Sequence, residues 1–278
     1  MRMTYRELMG KGEAFLKKAG IADAREDAWL LLAMVCKIDR NFYYMHMNEE
    51  LPEPAQAEYT SVLQKRAKRI PLQHMTGEQE FMGLRFLVNS DVLIPRQDTE
   101  ILVEEAIKKI RPGMDVLDVC TGSGCIIISI AKNISGIRAA ALDISREALL
   151  VAKNNAKLHG ISIEFSESDL FAEIHGTYDV IISNPPYILT DEIDTLMPEV
   201  REFEPHLALD GSQDGLLFYR RILDEAEYHL KPGGHLLFEI GCEQGQAVCG
   251  LLKQAGYSEI AVAKDLAGLD RVVMGTLL

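Results

Sequence analysis

Apolar positions change their period twice along the chain, and each change predicts a different architecture. Through about residue 70 the period is helical. Thr4-Tyr5-Arg6-Glu7 has the form of a capping box, and Asp23-Ala24-Arg25-Glu26 is its Asp variant. Behind the second, Ala24, Ala28, Leu31, Leu32 and Val35 share one helical face. A third helix is predicted after Leu51-Pro52-Glu53-Pro54, carrying Tyr59, Val62, Leu63 and Ile70. Lys65, Arg66, Lys68 and Arg69 lie on its other face, where a charge cluster reads as solvated. Between 72 and 95 the pattern alternates through Phe81, Leu84, Phe86 and Val88, with Gly77 and Gly83 as breakers, which predicts a short β-hairpin or extended linker. Helix resumes after Asp98.

From Asp115 onward strand and helix patterns alternate. Strands are predicted at 115–120, 138–143, 161–165, 178–183, 234–240, 257–263 and 269–275. Helices are predicted at 124–132, 146–159, 215–230 and 244–255. This is the signature of an α/β doubly wound, mostly parallel sheet. Only Ala267-Gly268 and their neighbours separate the last two strands, too few for a crossover helix, so these two pair as an antiparallel hairpin.

Composition narrows the function classes. The 278 residues are 47% hydrophobic and 26% charged, an ordinary globular balance. Apolar runs such as Ile126–Ile130 are far shorter than the roughly 20 residues that span a bilayer. The first residues lack the apolar core of a signal peptide, so a cytoplasmic protein is expected. Five cysteines never form C-x-x-C, and the histidines have no paired metal spacing; reduced thiols and no metal are expected. Net charge is −13, but unevenly spread: residues 1–73 hold 12 Lys/Arg against 10 Asp/Glu, and the rest 17 against 32. An acidic body repels nucleic-acid phosphate and accepts a cationic small molecule.

Four segments carry candidate chemistry, each at the end of a predicted strand. Cys120-Thr121-Gly122-Ser123-Gly124 is a glycine-rich strand-to-helix turn, where a ligand can approach the backbone. The third small residue of the dinucleotide fingerprint is absent, since Ile127 stands there. Asp143 lies 19 residues after Gly124 and can accept hydrogen bonds from two ribose hydroxyls; the other use of an Asp there is to cap helix 146–159. Asp169, in Ser168-Asp169-Leu170, can receive an adenine amino group or sit in a solvated turn. The strongest signal is Asn184-Pro185-Pro186-Tyr187. Two prolines stiffen the turn and remove two donors, leaving the Asn184 side-chain oxygen and the Pro185 carbonyl as acceptors for a planar –NH2 group, with Tyr187 to cover its flat face.

Together these segments resemble a class I S-adenosylmethionine-dependent methyltransferase acting on nitrogen. Further stretches resemble the peptide chain release factor glutamine N5-methyltransferase family: Pro71-Leu72-Gln73-His74-Met75-Thr76-Gly77-Glu78-Gln79-Glu80-Phe81, Leu93-Ile94-Pro95-Arg96-Gln97-Asp98-Thr99-Glu100, Phe203-Glu204-Pro205, Leu209-Asp210-Gly211 and Asp214-Gly215-Leu216. The resemblance covers the whole chain. It implies a seven-stranded methyltransferase sheet at 96–278, a hairpin linker at 73–95 and a small all-α domain at 1–72 that helps dock the substrate. It implies methyl transfer from S-adenosylmethionine, leaving S-adenosylhomocysteine, to the glutamine of the Gly-Gly-Gln loop in class 1 release factors. It further implies a monomer with no metal, no direct nucleic-acid partner and no membrane partner. Carried over by position, the donor site is Cys120, Thr121, Gly122, Ser123, Gly124, Asp143, Asp169, Leu170 and Asn184. The amide sits against Asn184, Pro185, Pro186 and Tyr187, with Asn184, Pro185 and Tyr187 as the catalytic group. Cys120 stands where the family usually has Gly, and Gln97 where it often has a second Pro. Arg96, Asp98 and Glu100 fit the pattern without an assigned chemistry. The alternative within the same chemistry is a methyltransferase for the exocyclic amines of nucleic-acid bases, which would have to flip its base out of a duplex.

Overall fold

The computed structural model describes residues 3–278. It divides into two compact units: residues 1–77 with 197–203, and residues 78–196 with 204–278.

The first unit is helical: α1 (Tyr5–Lys18), α2 (Ala24–Cys36), α3 (Arg40–His46), α4 (Glu53–Ala67) and α5 (Leu72–Thr76). At α1 the expected capping box forms in both directions. The Glu7 N–H donates to Thr4 Oγ1 at 3.2 Å, and the Thr4 N–H donates to Glu7 Oε2 at 2.9 Å. The expected Asp cap of α2 does not form. Asp23 has ψ 38°, outside the extended region an N-cap needs, so its carboxylate makes no cap bond. The short α3 was not anticipated, although Asp39 marks it by accepting from the Phe42 N–H at 2.7 Å. Ile70 falls outside α4, because Arg69 turns left-handed (φ 72°). Leu8, Leu16, Leu31, Leu32, Tyr59 and Leu63 form the core, and the Tyr59 hydroxyl donates to Ala28 O.

Half of the basic cluster on α4 is not solvated. Lys65 and Lys68 are exposed, but Arg66 is only 8% exposed. Tyr59, Leu63 and Arg66 stand at i, i+4 and i+7, which puts the guanidinium on the core face. Its Nε donates to Asp27 Oδ2 at 2.6 Å, and Nη1 and Nη2 both reach Glu199 Oε1 at 3.0 Å. Arg69 donates to the same oxygen at 3.1 Å. Glu199 lies on α9 (Pro198–Phe203), in the stretch 197–203 that belongs to this unit although the chain on either side of it belongs to the other.

The second unit opens with the hairpin β1 (Glu78–Phe81) and β2 (Leu84–Leu87), paired antiparallel. Then come α6 (Thr99–Lys109), β3 (Asp115–Val119), α7 (Cys125–Asn133), β4 (Arg138–Asp143), α8 (Arg146–His159), β5 (Glu164–Glu167), β6 (Tyr178–Ser183), α10 (Leu217–His229), β7 (Leu230–Glu239), α11 (Gly245–Gln254), β8 (Tyr257–Lys264) and β9 (Asp270–Leu277). β5 begins three residues later than the pattern predicts, and β7 four residues earlier. The seven strands run in the order β5-β4-β3-β6-β7-β9-β8. The first five are parallel, and β9 runs antiparallel to both neighbours. The final hairpin therefore folds back so that its second strand, not its first, joins β7.

Successive residues face opposite layers. Val116, Val180, Ile182 and Leu237 pack under α6 and α7. Leu117, Val119, Ile181, Leu236 and Phe238 pack under α10 and α11. Burial on both faces explains the continuous apolar runs of these strands. The hairpin adds Phe81 and Phe86 to the first layer and is clasped by α8: the Leu87 N–H donates to Asn155 Oδ1 at 2.7 Å, and Asn155 Nδ2 returns a bond to Leu87 O at 3.0 Å. Among the described residues no helix is long and apolar enough to cross a membrane.

One ionisable group interrupts the central strand. Asp118 is fully buried, accepts from the Thr121 hydroxyl at 2.6 Å through Oδ2, and leaves Oδ1 without a partner. Burial pushes its pKa up to about 7, against the opposing bond from Thr121.

Two outcomes are expected. Arg66→Ala strands the buried Asp27 carboxylate and leaves Glu199 with Arg69 alone, and should cost the helical unit about 3–5 kcal/mol in urea unfolding; a loss under about 1 kcal/mol would show the network to be solvated. Asp118 has a folded pKa above its unfolded value, so its contribution to stability is full at low pH and lost as pH rises through about 7. The urea midpoint of the wild type should therefore fall relative to that of Asp118→Asn between about pH 4 and 7 and run parallel above that; parallel midpoints throughout would mean that the folded carboxyl ionises as it does unfolded.

Candidate active site

The order of strands turns back at β3, which has β4 on one side and β6 on the other. A crevice opens beyond the carboxyl ends of strands at such a point. The structure has a cavity of about 260 Å³ there, within the second unit. Its lining includes residues from the ends of β3, β4, β5 and β6.

The turn after β3 contributes Cys120, Thr121, Gly122 and Ser123. Cys120 itself is left-handed (φ 63°), an unusual conformation for a residue with a Cβ and the reason a glycine suits that position. Gly124 does not line the cavity. It is left-handed (φ 79°) and packs inward: an added Cβ would lie 3.0 Å from Ile128 Cδ1 and 3.2 Å from Ala152 Cβ. Its hydrogen is what allows α7 to start against α8.

Asp143 ends β4 and lines the cavity. It does not cap α8; Ser145 does, accepting from the Ala148 N–H at 3.1 Å. Asp143 instead ties the two turns together. Oδ2 accepts from the Gly122 N–H at 2.8 Å, and Oδ1 from the Ser145 N–H at 2.9 Å. Burial raises its pKa, while these backbone donors pull it down. Each oxygen keeps a lone pair for a ligand hydroxyl. Ile144 beside it is half exposed and also lines the cavity.

Beyond β5, Asp169 and Leu170 line the cavity together with Ser168. Leu170 is left-handed (φ 52°), and the Ser168 hydroxyl holds that bend by donating to Leu170 O at 2.6 Å. Asp169 pairs with Arg221 at 3.0 Å, and Arg221 and Phe218 of α10 complete that wall. No sequence pattern flagged these two α10 residues, because their proximity exists only once α10 packs on the sheet.

Asn184 and Pro186, after β6, line the cavity, whereas Pro185 and Tyr187 do not. Asn184 Nδ2 donates to Thr99 Oγ1 at 3.5 Å, so its amide oxygen is not used by that bond. The Tyr187 hydroxyl donates to Glu239 Oε1 at 3.4 Å, and Gln244 Nε2 donates to Tyr187 O at 3.0 Å. The glycines of the two later motifs press on this turn. A Cβ at Gly211 would lie 2.6 Å from Tyr187 Cα, and one at Gly215 would lie 2.5 Å from Tyr187 O. Backbone packs on backbone here, which holds the Asn-Pro-Pro-Tyr turn rigid.

The segment before α6 also gains roles. Arg96 lines the cavity and donates to Glu204 Oε1 at 2.6 Å, with the Glu204 side chain almost wholly buried. Asp98 pairs with Arg271 at 3.1 Å. Glu100 Oε1 accepts from the Met82 N–H at 2.6 Å and so pins the hairpin turn. Thr99 lines the cavity and Glu239 lies behind it; Thr99 stands in a stretch that resembles the family without an assigned role, and Glu239 carried no sequence signal, since a Glu at a strand end is an ordinary residue.

With this geometry in place, similarity to known proteins is informative. Residues 7–77 match the PrmC N-terminal domain, and residues 96–202 match the methyltransferase small domain. The release factor glutamine methyltransferase of Geobacter sulfurreducens is 39% identical over 275 residues, covering 99% of this chain and 97% of that one. That of Cereibacter sphaeroides is 44% identical over 264 residues, covering 94% of each. A crystal structure of a methyltransferase from Pyrococcus furiosus shares the fold, with a TM-score of 0.55, 18% identity, and coverage of 76% of this chain and 98% of that one. Near-full-length identity at this level is decisive: the chain belongs to the release factor glutamine methyltransferase family.

Proposed function

We propose that the protein transfers the methyl group of S-adenosylmethionine to the side-chain amide nitrogen (N5) of the glutamine in the Gly-Gly-Gln loop of class 1 peptide chain release factors, leaving S-adenosylhomocysteine. One observation carries the proposal beyond family membership. The Asn184 carboxamide stands in the same cavity as the glycine-rich turn and Asp143, with its nitrogen already engaged by Thr99.

The residues present fit such a donor. Gly122 leaves open space over the turn, since an added Cβ there would meet nothing within 4 Å. Asp143 offers acceptors to the ribose hydroxyls, Ile144 offers an apolar surface for the base, and Asp169 and Leu170 bound the adenine end. Bound there, the donor supplies an electrophilic methyl carbon on a positively charged sulfur.

The harder task falls to the acceptor side. An amide nitrogen is a poor nucleophile because its lone pair is delocalised into the carbonyl. Asn184 Oδ1 and the Pro185 carbonyl each accept one N–H of the substrate amide. Holding both protons lets the nitrogen become pyramidal and aims its lone pair at the methyl carbon. The nitrogen–carbon bond forms as the sulfur–carbon bond breaks, the sulfur keeps the electron pair, and the methylated nitrogen then releases one proton to water. Pro186 limits the slot, and Tyr187 supplies a flat wall. The helical unit engages the body of the release factor.

Labelled methyl transfer to purified class 1 factor, beside a variant factor with the loop glutamine changed to alanine and a DNA control, tests the function. Label in the intact factor alone supports it; label in DNA, or equally in the variant factor, refutes it. Asn184→Ala should leave donor binding intact and abolish transfer, and near-normal turnover would remove Asn184 from the mechanism. Asp143→Ala should weaken donor binding by about 2 kcal/mol or more in calorimetry, because charge-assisted bonds of about 1.5–3 kcal/mol are lost; unchanged affinity would exclude the ribose contact.

A further inference from the structure

Asn155 lies on α8 in complete burial, and no part of the proposed mechanism uses it. A polar side chain so placed must commit its donors and acceptor to protein partners. Asn155 commits them to two segments far apart in sequence. Its Nδ2 donates to Ser123 O at 2.9 Å and to Leu87 O at 3.0 Å, while Oδ1 accepts from the Leu87 N–H at 2.7 Å. The orientation of the carboxamide is unambiguous, because a backbone N–H can only donate and a carbonyl can only accept. Both segments lead to the cavity. Ser123 lines it from the glycine-rich turn. Leu87 ends β2, and the chain that follows supplies Asp91, Val92, Leu93 and Pro95 to the lining. The rest of this α8 face serves the same two segments. Ala148, Val151, Ala152 and Asn155 stand at i, i+3, i+4 and i+7. Ala148 and Val151 pack on Val88 and Val92, and Ala152 leaves room only for the hydrogen of Gly124.

We propose that Asn155 is a positioning residue for donor binding: one carboxamide that holds the glycine-rich turn and the end of β2 in a fixed relation, so that two walls of the cavity are set before the donor arrives. The inference rests on the S-adenosylmethionine site proposed above. Asn155 does not line the cavity, so it acts through Ser123 and Leu87. The turn needs such a hold. Gly122 (φ 53°) and Gly124 (φ 79°) flank Ser123, and glycine passes between conformations closed to other residues. The Ser123–Gly124 peptide is fixed at both ends, its oxygen by Asn155 and its N–H by Thr121 O at 2.9 Å. Without the carboxamide that oxygen is left buried and unpaired, and the peptide recovers a partner by turning toward the cavity, where water reaches it. The second wall loosens with the first, because Leu87 loses both of its backbone bonds to α8.

A donor that meets both walls binds only the arrangement in which both are in place, and its apparent affinity scales with the fraction of molecules in that arrangement. If loss of the clasp leaves about a tenth of them there, affinity falls about tenfold. The product S-adenosylhomocysteine meets the same walls and should weaken by the same factor, since the effect is one of shape and not of charge. The amide acceptors, Asn184 and the Pro185 carbonyl, lie on the turn after β6, to which Asn155 makes no hydrogen bond. Turnover at saturating donor should therefore be spared.

The test compares wild type, Asn155→Asp, Asn155→Ala and Leu252→Ala, each well below its thermal midpoint. Affinities for S-adenosylmethionine and S-adenosylhomocysteine are read by calorimetry, beside kcat, donor KM and release-factor KM. Asn155→Asp keeps the side chain's size and its bond from the Leu87 N–H, but sets an acceptor against Ser123 O and Leu87 O. Leu252→Ala is the control: this buried residue of α11 packs in the other core layer, so its truncation lowers stability without touching either wall. Both Asn155 variants should bind both ligands about tenfold or more weakly, with donor KM rising in step and with kcat at saturating donor and release-factor KM unchanged. Leu252→Ala should bind both ligands like wild type. Wild-type affinity in Asn155→Asp, a loss of kcat with donor affinity kept, or an equal loss of affinity in Leu252→Ala would overturn the inference. If Asn155→Ala does not fold, Asn155→Asp decides it alone. A wild type that binds no S-adenosylmethionine would overturn the proposed function itself. A wild type that binds it and methylates DNA would overturn only the acceptor, and the variants' affinities would still decide this inference.

Discussion

Everything at the candidate site hangs on the position of β3 in the sheet. Because β4 pairs along one edge of it and β6 along the other, the loops leaving these strands diverge to opposite sides and leave a crevice between them. Buried polar bonds brace the crevice. Asp143 fastens the Gly122 turn to the start of α8, Asp118 holds Thr121 from beneath, and the Ser183 hydroxyl donates to Val119 O at 2.7 Å. The Asp143 bond lies past the last paired residues of β3 and β4, the Ser183 bond sits at the last register pair of β3 and β6, and the Asp118 bond closes the turn that leaves β3.

The same economy recurs on the acceptor side. Gly211 and Gly215 bring a second loop into backbone contact with Tyr187, and Gln244 closes the arrangement by donating to both Tyr187 O and Gly215 O. The Tyr187 end of the turn that carries the reactive geometry is thus packed against backbone and tied by a hydrogen bond. Preorganisation of this kind matters most for a weak nucleophile, because the acceptors must already be in place when the lone pair is drawn out.

Charged residues account for much of what pattern reading misplaced. Arg66 reads as one of four basic residues on a solvated face, yet it is the centre of a buried network reaching Asp27 and Glu199. Asp23 reads as a cap and is not one, while Asp39 caps a helix too short to show a period. Asp143 reads either as a ribose acceptor or as a helix cap, and the structure gives it a further use as a brace between two turns. A charged side chain is long and has several possible partners, so its sequence neighbours do not say which one it finds.

Strand and helix periods, the glycine-rich turn, the acidic strand end and Asn-Pro-Pro-Tyr were legible because each depends on local chemistry: apolar spacing, left-handed turns, prolines without donors. From these alone the α/β sheet, the antiparallel final hairpin and the four segments at the crevice follow. What only the tertiary structure decided are the contacts between distant segments. That β9 rather than β8 joins β7, that residues 197–203 belong with the N-terminal helices, that Arg221 meets Asp169, and that Glu239 stands behind Thr99 and Tyr187 all depend on packing between elements up to more than a hundred residues apart. Local pattern carries no term for such pairings, because their free energy exists only once the layers have closed.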